Sequence, residues 1–479
     1  LATGYQFLDD LMQMDQDYLP DDYMRLEQAQ KLNVITQEAT LRSLRRGRWQ
    51  HASGVFFSYQ WLHTDAPVSF GDAMNSMILS SMGMPPSVAS AMSISDNYVP
   101  GTFKTPQLNI GIYHESNFTL SEWLMLTLGL RYDHQQVEIE YDSYSHFVLG
   151  LNMPPRPAVS SRFMSVLRGG ASERYDQLLP KFALTYRLDG RGSNVYATVS
   201  KGFRAGGYNL QMFSDIFRSE QSALGMELMQ LMQGDMTVEH DAGDYENINR
   251  TISYKPEVSW NYEVGAHLNL FGGSLHLDAA AYYMHISNQQ LSVMASDYGY
   301  GRMMVNAGKS SSWGVELSMR GKAVDDCLSW SATYGFTRST FRQYADSVMS
   351  EDGAGYVLHD YKGKDVPFVP RHTFSGVVDY RFDLSVGGFV KSVTVGADVA
   401  GNGKVFWDAG NESSQRLYAL LGAHVMLDFG KVQLNVWGKN LTDTRYNTFL
   451  VESSADSVKR SFAQRGNPLQ VGLDVSLHL

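Results

Sequence analysis

The C-terminal stretch Leu469-Gln-Val-Gly-Leu-Asp-Val-Ser-Leu-His-Leu479 puts Leu469, Val471, Leu473, Val475, Leu477 and Leu479 at every second position. Gln470, Gly472, Asp474, Ser476 and His478 fill the places between. Successive strand side chains point to opposite faces, so this segment reads as a strand with one aliphatic face and one small or polar face. The pattern recurs upstream. Val55, Phe57, Tyr59 and Trp61 oppose Gly54, Ser58 and Gln60, with Phe56 the one misplaced ring. Leu124, Leu126, Leu128, Leu130 and Tyr132 oppose Thr127, Gly129, Arg131 and Asp133. Trp260 to Leu270 and Leu328 to Phe336 alternate in the same way.

Over the whole chain this reading gives fifteen segments: 30–46, 48–64, 102–118, 121–142, 178–189, 193–207, 255–271, 274–294, 302–321, 327–344, 371–384, 390–407, 415–429, 431–449 and 466–479. Residues 1–8 read as the end of a sixteenth. Most exceed the roughly 9 to 11 residues that a tilted strand needs to cross a bilayer, whereas strands of soluble proteins average about 5 or 6. The connections alternate between short ones, at Gly47, Asp189–Gly192, Phe271–Gly273, Lys322–Asp326, Ser385–Phe389 and Gly430, and long ones at 65–101, 143–177, 208–254 and 345–370. Short periplasmic turns against long extracellular loops predict an all-β, transmembrane antiparallel β-barrel of the outer-membrane type, set in outer-membrane lipid, with Leu479 on the periplasmic side. Glu263, Glu316, Arg320, Asp379 and Asp398 then face the lumen, and Trp61, Trp123, Trp260 and Trp407 suit interfacial girdles.

Composition bounds the alternatives. The 479 residues carry 39 Lys and Arg against 50 Asp and Glu, a net charge of −11, so the basic footprint of a general nucleic-acid binder is absent. Cys327 is the only cysteine, which excludes an intramolecular disulfide and a cysteine-cluster metal site. No apolar run is long enough for a spanning helix. Leu1 opens a stretch without the basic flank and apolar core of a signal peptide, so the start reads as cut.

Several motifs carry a family resemblance. They are Pro180-Lys-Phe-Ala-Leu-Thr-Tyr186, Val195-Tyr-Ala-Thr-Val-Ser-Lys-Gly-Phe-Arg-Ala-Gly-Gly-Tyr-Asn209, Lys255-Pro-Glu257, Lys439-Asn-Leu-Thr-Asp-Thr-Arg-Tyr446 and Gly466-Asn-Pro468. In order and spacing the chain resembles the barrel of TonB-dependent outer-membrane receptors, importers of siderophores, cobalamin, haem and glycans in Gram-negative bacteria. Asp15-Gln-Asp17, the Lys-Pro-Glu motif and Gly363 to Pro370 look closest to ferric-siderophore receptors. The resemblance implies TonB as a partner, acting through a plug region, and a ferric siderophore as ligand. Members of the family carry a TonB box and a plug and close about 22 strands, the size of plugged outer-membrane transporters. Residues 1–479 show neither box nor plug, so they read as the C-terminal part of such a barrel, with about six strands and the plug lying upstream of Leu1 or supplied by a second chain.

Nothing in the sequence calls for catalysis or a cofactor. Gly202, Gly206 and Gly207 lie at a strand end rather than between a strand and a helix, so they do not form a phosphate loop. His114, His134, His146, His285, His359 and His372 lack metal-ligand spacing, and no metal site is assigned. Ile216, Leu224, Glu227, Leu228, Leu231 and Met232 suggest a short amphipathic helix packed over the mouth, inside an acidic loop at 208–254. The Met-rich stretch from Met74 to Met92 invites a soft-metal reading, which the scatter of its methionines supports poorly. The resemblance places ligand contacts in the outer lumen and loops. The candidates are Arg204 for an anionic chelate, Tyr208 and Asn209 beyond it, and Tyr298, Tyr300 and Trp407 for aromatic contact. The rival readings are a passive porin-like channel, a glycan, cobalamin or haem importer working with a surface lipoprotein, and an adhesive barrel presenting its loops to a partner.

Overall fold

A computed structural model describes residues 1–15, 18–44, 47–81, 86–155, 157–223, 234–294, 302–349, 356–384, 388–453 and 460–478. Sixteen long strands follow one another: β1 (Ala2–Asp15), β2 (Met24–Arg42), β3 (Trp49–Asp65), β4 (Gln107–Thr119), β5 (Leu124–Leu151), β6 (Val159–Arg187), β7 (Asn194–Arg204) and β8 (Glu257–Leu270). The series continues with β9 (Leu275–Ser287), β10 (Lys309–Ala323), β11 (Leu328–Gln343), β12 (His372–Asp383), β13 (Ser392–Asn402), β14 (Tyr418–Asp428), β15 (Val432–Lys439) and β16 (Gln470–Leu477). Each pairs antiparallel with the next in an unbroken meander. Among the described residues β1 has β2 as its one neighbour and β16 has β15.

Register fixes the faces. Residues directly opposite across a pair share a face. Following Glu263↔Tyr282, Tyr282↔Gly314, Glu316↔Gly335, Gly335↔Thr373, Thr373↔Asn402 and Asn402↔Tyr418 puts Glu263, Glu316, Arg320, Asp379 and Asp398 on one polar face, as expected. The other face is apolar and uncovered: Val471, Leu473, Val475 and Leu477 are all more than half exposed. Bare aliphatic surface of this extent belongs in lipid, with the polar face lining a lumen. Phe56 lies on the lumen face, where the Arg131 guanidinium sits 5.8 Å from its ring centre.

The short turns reverse direction through backbone that most residues avoid. Gly47, Gly192, Gly272, Gly273 and Gly430 have positive φ, as do Val324, Asp325 and Asp326 in the β10–β11 turn. At Asp189 the carboxylate accepts from the Arg191 and Ser193 amides, both at 2.9 Å, which closes the β6–β7 turn.

The loop side departs from expectation at 143–177. β5 and β6 run 28 and 29 residues and stay in register from Leu124↔Tyr186 to Leu151↔Val159. At about 3.3 Å per residue they reach far beyond a bilayer. Met92–Val99 and Gly101–Lys104 add to β5, and Met236–Val238 adds parallel to β6. Among the described residues three helices of ten or more residues pack here, α1 (Asp72–Ser81), α2 (Met212–Ala223) and α3 (Ala242–Ile252), with the short helix Pro86–Ala89 adding Val88. Phe213 and Phe217 of α2, Met74 and Ile78 of α1, and Ile248 and Ile252 of α3 share one core with Phe103, Ile139, Tyr141, Phe147 and Phe163. Phe213 stands 4.7 Å from the Tyr141 ring and 5.1 Å from Phe103. Met74 and Met92 are therefore packing residues of this cap. The strand expected over 431–449 stops at Lys439, where Asn440 turns the chain with φ 50°.

Candidate functional site

Pro180–Tyr186 ends β6 beside the short β6–β7 turn, whereas the other family motifs reach the loop-side ends of their strands, where the geometry shows what they do. Gly206 and Gly207 follow β7. A Cβ on Gly206 would meet the Tyr175 hydroxyl at 2.6 Å, and one on Gly207 the Tyr254 hydroxyl at 2.5 Å. The glycine pair lets two tyrosines close over the strand end. Lys255-Pro-Glu257 is a hub for the 288–308 loop. The Lys255 carbonyl accepts from Asn306 Nδ2 at 2.9 Å and Gln290 Nε2 at 3.1 Å, and Glu257 Oε2 accepts from the Gln290 amide at 2.7 Å. In Lys439–Tyr446, the Asn440 Nδ2 donates to the Thr444 and Asn467 carbonyls and its Oδ1 accepts from the Thr444 amide, tying the two ends of the last loop. In the 363–370 segment, Asp365 Oδ2 accepts from both Nε and a terminal nitrogen of Arg371, and its backbone is held by Asn411.

Arg204 lies on the lumen face opposite Glu257, exposed and in no ion pair among the described residues. Tyr208 pairs with Ser253, and Tyr254 with Gly207. Burial raises the Tyr208 hydroxyl above the ordinary phenol range, aided by Glu173 and Tyr175. Burial raises Tyr254 too, opposed by the nearby Arg204 charge. Asn209 is buried, and its amide is spent on the Met304 backbone, donating at 2.9 Å and accepting at 2.7 Å. Trp407 sits apart from these three, 9% exposed and edge-on to Phe368 at 5.5 Å, so it belongs to a packed loop core rather than an interfacial rim. Tyr298 and Tyr300 lie outside the described residues.

In the acidic loop a helix runs over Met212–Ala223 and buries Phe213 and Phe217; of the residues expected to form an amphipathic helix Ile216 lies in it, and Leu224, Glu227, Leu228, Leu231 and Met232 lie outside the described residues. Its C-terminal end is anchored by polar contacts. Gln221, 1% exposed, donates to Ser145 Oγ at 2.7 Å. Glu220 accepts from Ser165 Oγ at 2.6 Å and pairs with His240 Nε2 at 2.8 Å. Sequence reasoning missed this latch because its members are far apart in the chain.

Lower in the lumen, polar side chains tile the wall. Tyr196 donates to Glu263 at 2.7 Å and lies over Gly265, while Tyr113 donates to Glu38 at 2.7 Å and lies over Gly54. Tyr196, Glu263, His267, Asp278 and Glu316 line a wall recess of about 400 Å³. No group of three or more His, Cys, Asp or Glu side chains placed to hold a metal occurs among the described residues.

Comparison with known proteins agrees with this architecture. The family model for the TonB-dependent receptor-like β-barrel matches residues 2–441. The pesticin receptor of Yersinia pestis is 23% identical over 357 residues, 74% of this chain and 42% of its own length. That of Yersinia enterocolitica serotype O:8 is 28% identical over 194 residues, 40% of this chain and 25% of its own. Among solved structures, the ferric yersiniabactin uptake receptor of Yersinia pestis superposes with a TM-score of 0.66 at 19% identity, over 99% of this chain and 57% of that one. The siderophore receptor PiuA of Acinetobacter baumannii gives 0.56 at 18%, over 94% and 56%. The chain thus spans between a quarter and three-fifths of the length of these relatives.

Proposed function

The chain belongs to the TonB-dependent receptor-like β-barrel family, and from that premise we propose that it is the barrel of an outer-membrane receptor that imports a ferric siderophore, powered through TonB. The observation that carries the reading is the family match over residues 2–441, joined to a loop-side cap built on β5 and β6. The ligand class rests on the likeness to receptors named for iron chelates and is a step beyond the fold.

In this reading the loop side faces the medium, and the short turns with the end of β16 face the periplasm. The uncovered edges of β1 and β16 take further strands, because unpaired amides and carbonyls are costly within a bilayer. β1 runs toward the loop side and β16 away from it, so an antiparallel closure inserts an even number of strands. Six, with a plug, match the larger transporters. Arg204 and Tyr208, at the lumen mouth, are the ligand contacts proposed among the described candidates.

The physical case for an active device is simple. A lumen wide enough for a large scarce chelate must be plugged, and the energy to open it has to come from elsewhere. Deleting the gene in its own host and growing cells on iron-starved medium with single ferric chelates tests the reading. Loss of growth on one chelate, restored by the gene, is the expected result; unchanged growth on all of them overturns it. A steady ion conductance from the purified protein in planar bilayers would favour the passive channel instead.

A further inference from the structure

We infer that Arg48, Trp49, His51, Ser53, His114 and Ser116 form a site for the phosphate headgroup of an anionic phospholipid, on the outside of the barrel beside the turn between β2 and β3. The inference rests on the proposed placement of the short turns at the periplasm for the leaflet that supplies the lipid, and on nothing in the choice of imported ligand.

Register sets the face. Phe56 lines the lumen, so Trp49, His51, Ser53 and Val55 of β3 point outward, and their partners Phe118, Ser116, His114 and Ile112 of β4 point outward with them. Depth follows from strand geometry. From Trp49 to Trp61 the chain advances about 40 Å at about 3.3 Å per residue, which a tilt of about 40° turns into roughly 30 Å along the membrane normal. Both indoles are exposed. They stand in the two aromatic girdles, Trp49 on the turn side, with His51 and His114 just inside it.

A lipid-facing surface at this depth is expected to be apolar, yet this patch is polar and partly paired with itself. Trp49 Nε1 donates to Ser116 Oγ at 3.0 Å. His114 Nδ1 lies 2.8 Å from Ser53 Oγ, and its Nε2 lies 2.9 Å from Ser116 Oγ. The His51 ring stands 4.9 Å from the Trp49 ring and 6.1 Å from that of His114. Its Nδ1 is buried with no hydrogen-bond partner among the described residues. An unmet buried N–H costs more than an unmet lone pair, so the proton sits on Nε2 and His51 offers a donor.

The charge beside the patch is one-sided. The turn reads Arg42-Ser-Leu-Arg-Arg-Gly-Arg48, four arginines and no acid in a chain of net charge −11. Arg48 Nε donates to the Thr119 carbonyl at 3.2 Å and a terminal nitrogen to the Leu120 carbonyl at 2.7 Å, which fixes the guanidinium at the end of β4 without neutralising it. It forms no ion pair among the described residues. Glu122, in the next turn, is exposed. The outward positions of β3 from Trp49 to Trp61 and of β4 from Leu108 to Phe118 carry no carboxylate. A fixed cation and imidazole donors at the girdle suit a phosphate, and the exposed Val55 and Ile112 beyond them suit its acyl chains. Free phosphate shares the headgroup chemistry but leaves that aliphatic surface unused.

The test uses the protein as extracted from its own membranes, in detergent, and counts retained lipid by native mass spectrometry. The probes are dioleoylphosphatidylglycerol, dioleoylphosphatidylcholine, lipid A and inorganic phosphate. The expected result is retention of phosphatidylglycerol about fivefold or more over phosphatidylcholine, falling with added salt. Arg48→Glu should weaken it by about tenfold or more, Arg48→Lys should keep most of it, and His51→Leu should weaken it with Arg48 in place. Heat-modifiable mobility is the folding control, and Arg191→Glu, in the exposed β6–β7 turn, should change nothing. Equal retention of the two phospholipids overturns the site, as does an equal loss in Arg191→Glu, which would mark a general charge effect. Binding of inorganic phosphate without phosphatidylglycerol overturns the lipid assignment. A preference for lipid A over phosphatidylglycerol overturns the phospholipid assignment together with the orientation it rests on, whereas a failed import assay leaves the lipid count unchanged, so the readings fail separately.

Discussion

Asn209 grips the backbone of Met304 from both sides, its Nδ2 donating to the carbonyl at 2.9 Å and its Oδ1 accepting from the amide at 2.7 Å. These two bonds tie the loop after β7 to the loop after β9. Asn209→Ala strips both Met304 groups of their partner, a local cost of roughly 1–3 kcal/mol for each one left unpaired. Hydrogen exchange at the Met304 amide should then quicken by about tenfold or more. Unchanged protection there, with lost ligand binding, would reassign Asn209 to ligand contact.

The glycines of the lumen face make a second test. A Cβ on Gly265 would lie 2.6 Å from the Tyr196 ring, and that ring is anchored by its hydroxyl bond to Glu263. Gly265→Val must displace Tyr196 or part β7 from β8. A fall in the temperature at which the barrel loses its heat-modifiable mobility is expected, and the pair Gly265→Val/Tyr196→Ala should recover most of it. No recovery would mean that the ring is not what the glycine accommodates.

The cap should respond as a small core of its own. Phe217 of α2 is fully buried, so Phe217→Ala removes packing worth about 3–5 kcal/mol in a well-filled core. The loss should appear as faster proteolysis between α2 and α3, with the strands from β7 to β16 unaffected. Protection unchanged at both helices would contradict a shared core.

The strands were legible in the sequence because alternation survives wherever one face meets lipid and the other a lumen. It failed on β5 and β6 beyond Asp142 because Ser143, Ser145, Ser161 and Ser165 occupy buried positions where the pattern calls for apolar residues. Those serines face the cap, and Ser145 and Ser165 bond Gln221 and Glu220, partners that local periodicity cannot reveal. Likewise the motifs announced a family, yet Lys255-Pro-Glu257 and Asn440 turn out to brace loops through contacts 27 to 51 residues away.

Alkaline pH should loosen the loop side. The Tyr208 and Tyr254 hydroxyls are raised above the ordinary phenol value by burial, so the folded state holds their protons more tightly than the unfolded chain. Their contribution is complete below about pH 10 and is lost as pH climbs through the raised values. Ultraviolet titration should show these two phenols ionising after the exposed tyrosines, and Tyr208→Phe should flatten part of the alkaline loss of cap protection. Ionisation in step with free tyrosine would contradict the burial assigned here.

The most direct measurement of the import reading is radio-iron accumulation from a ferric siderophore by iron-starved cells bearing the native protein, with TonB present and with TonB deleted. Saturable accumulation that disappears when TonB is deleted or when the proton gradient is collapsed is the expected result. Accumulation that continues unchanged in both conditions would contradict it and leave a passive channel in its place.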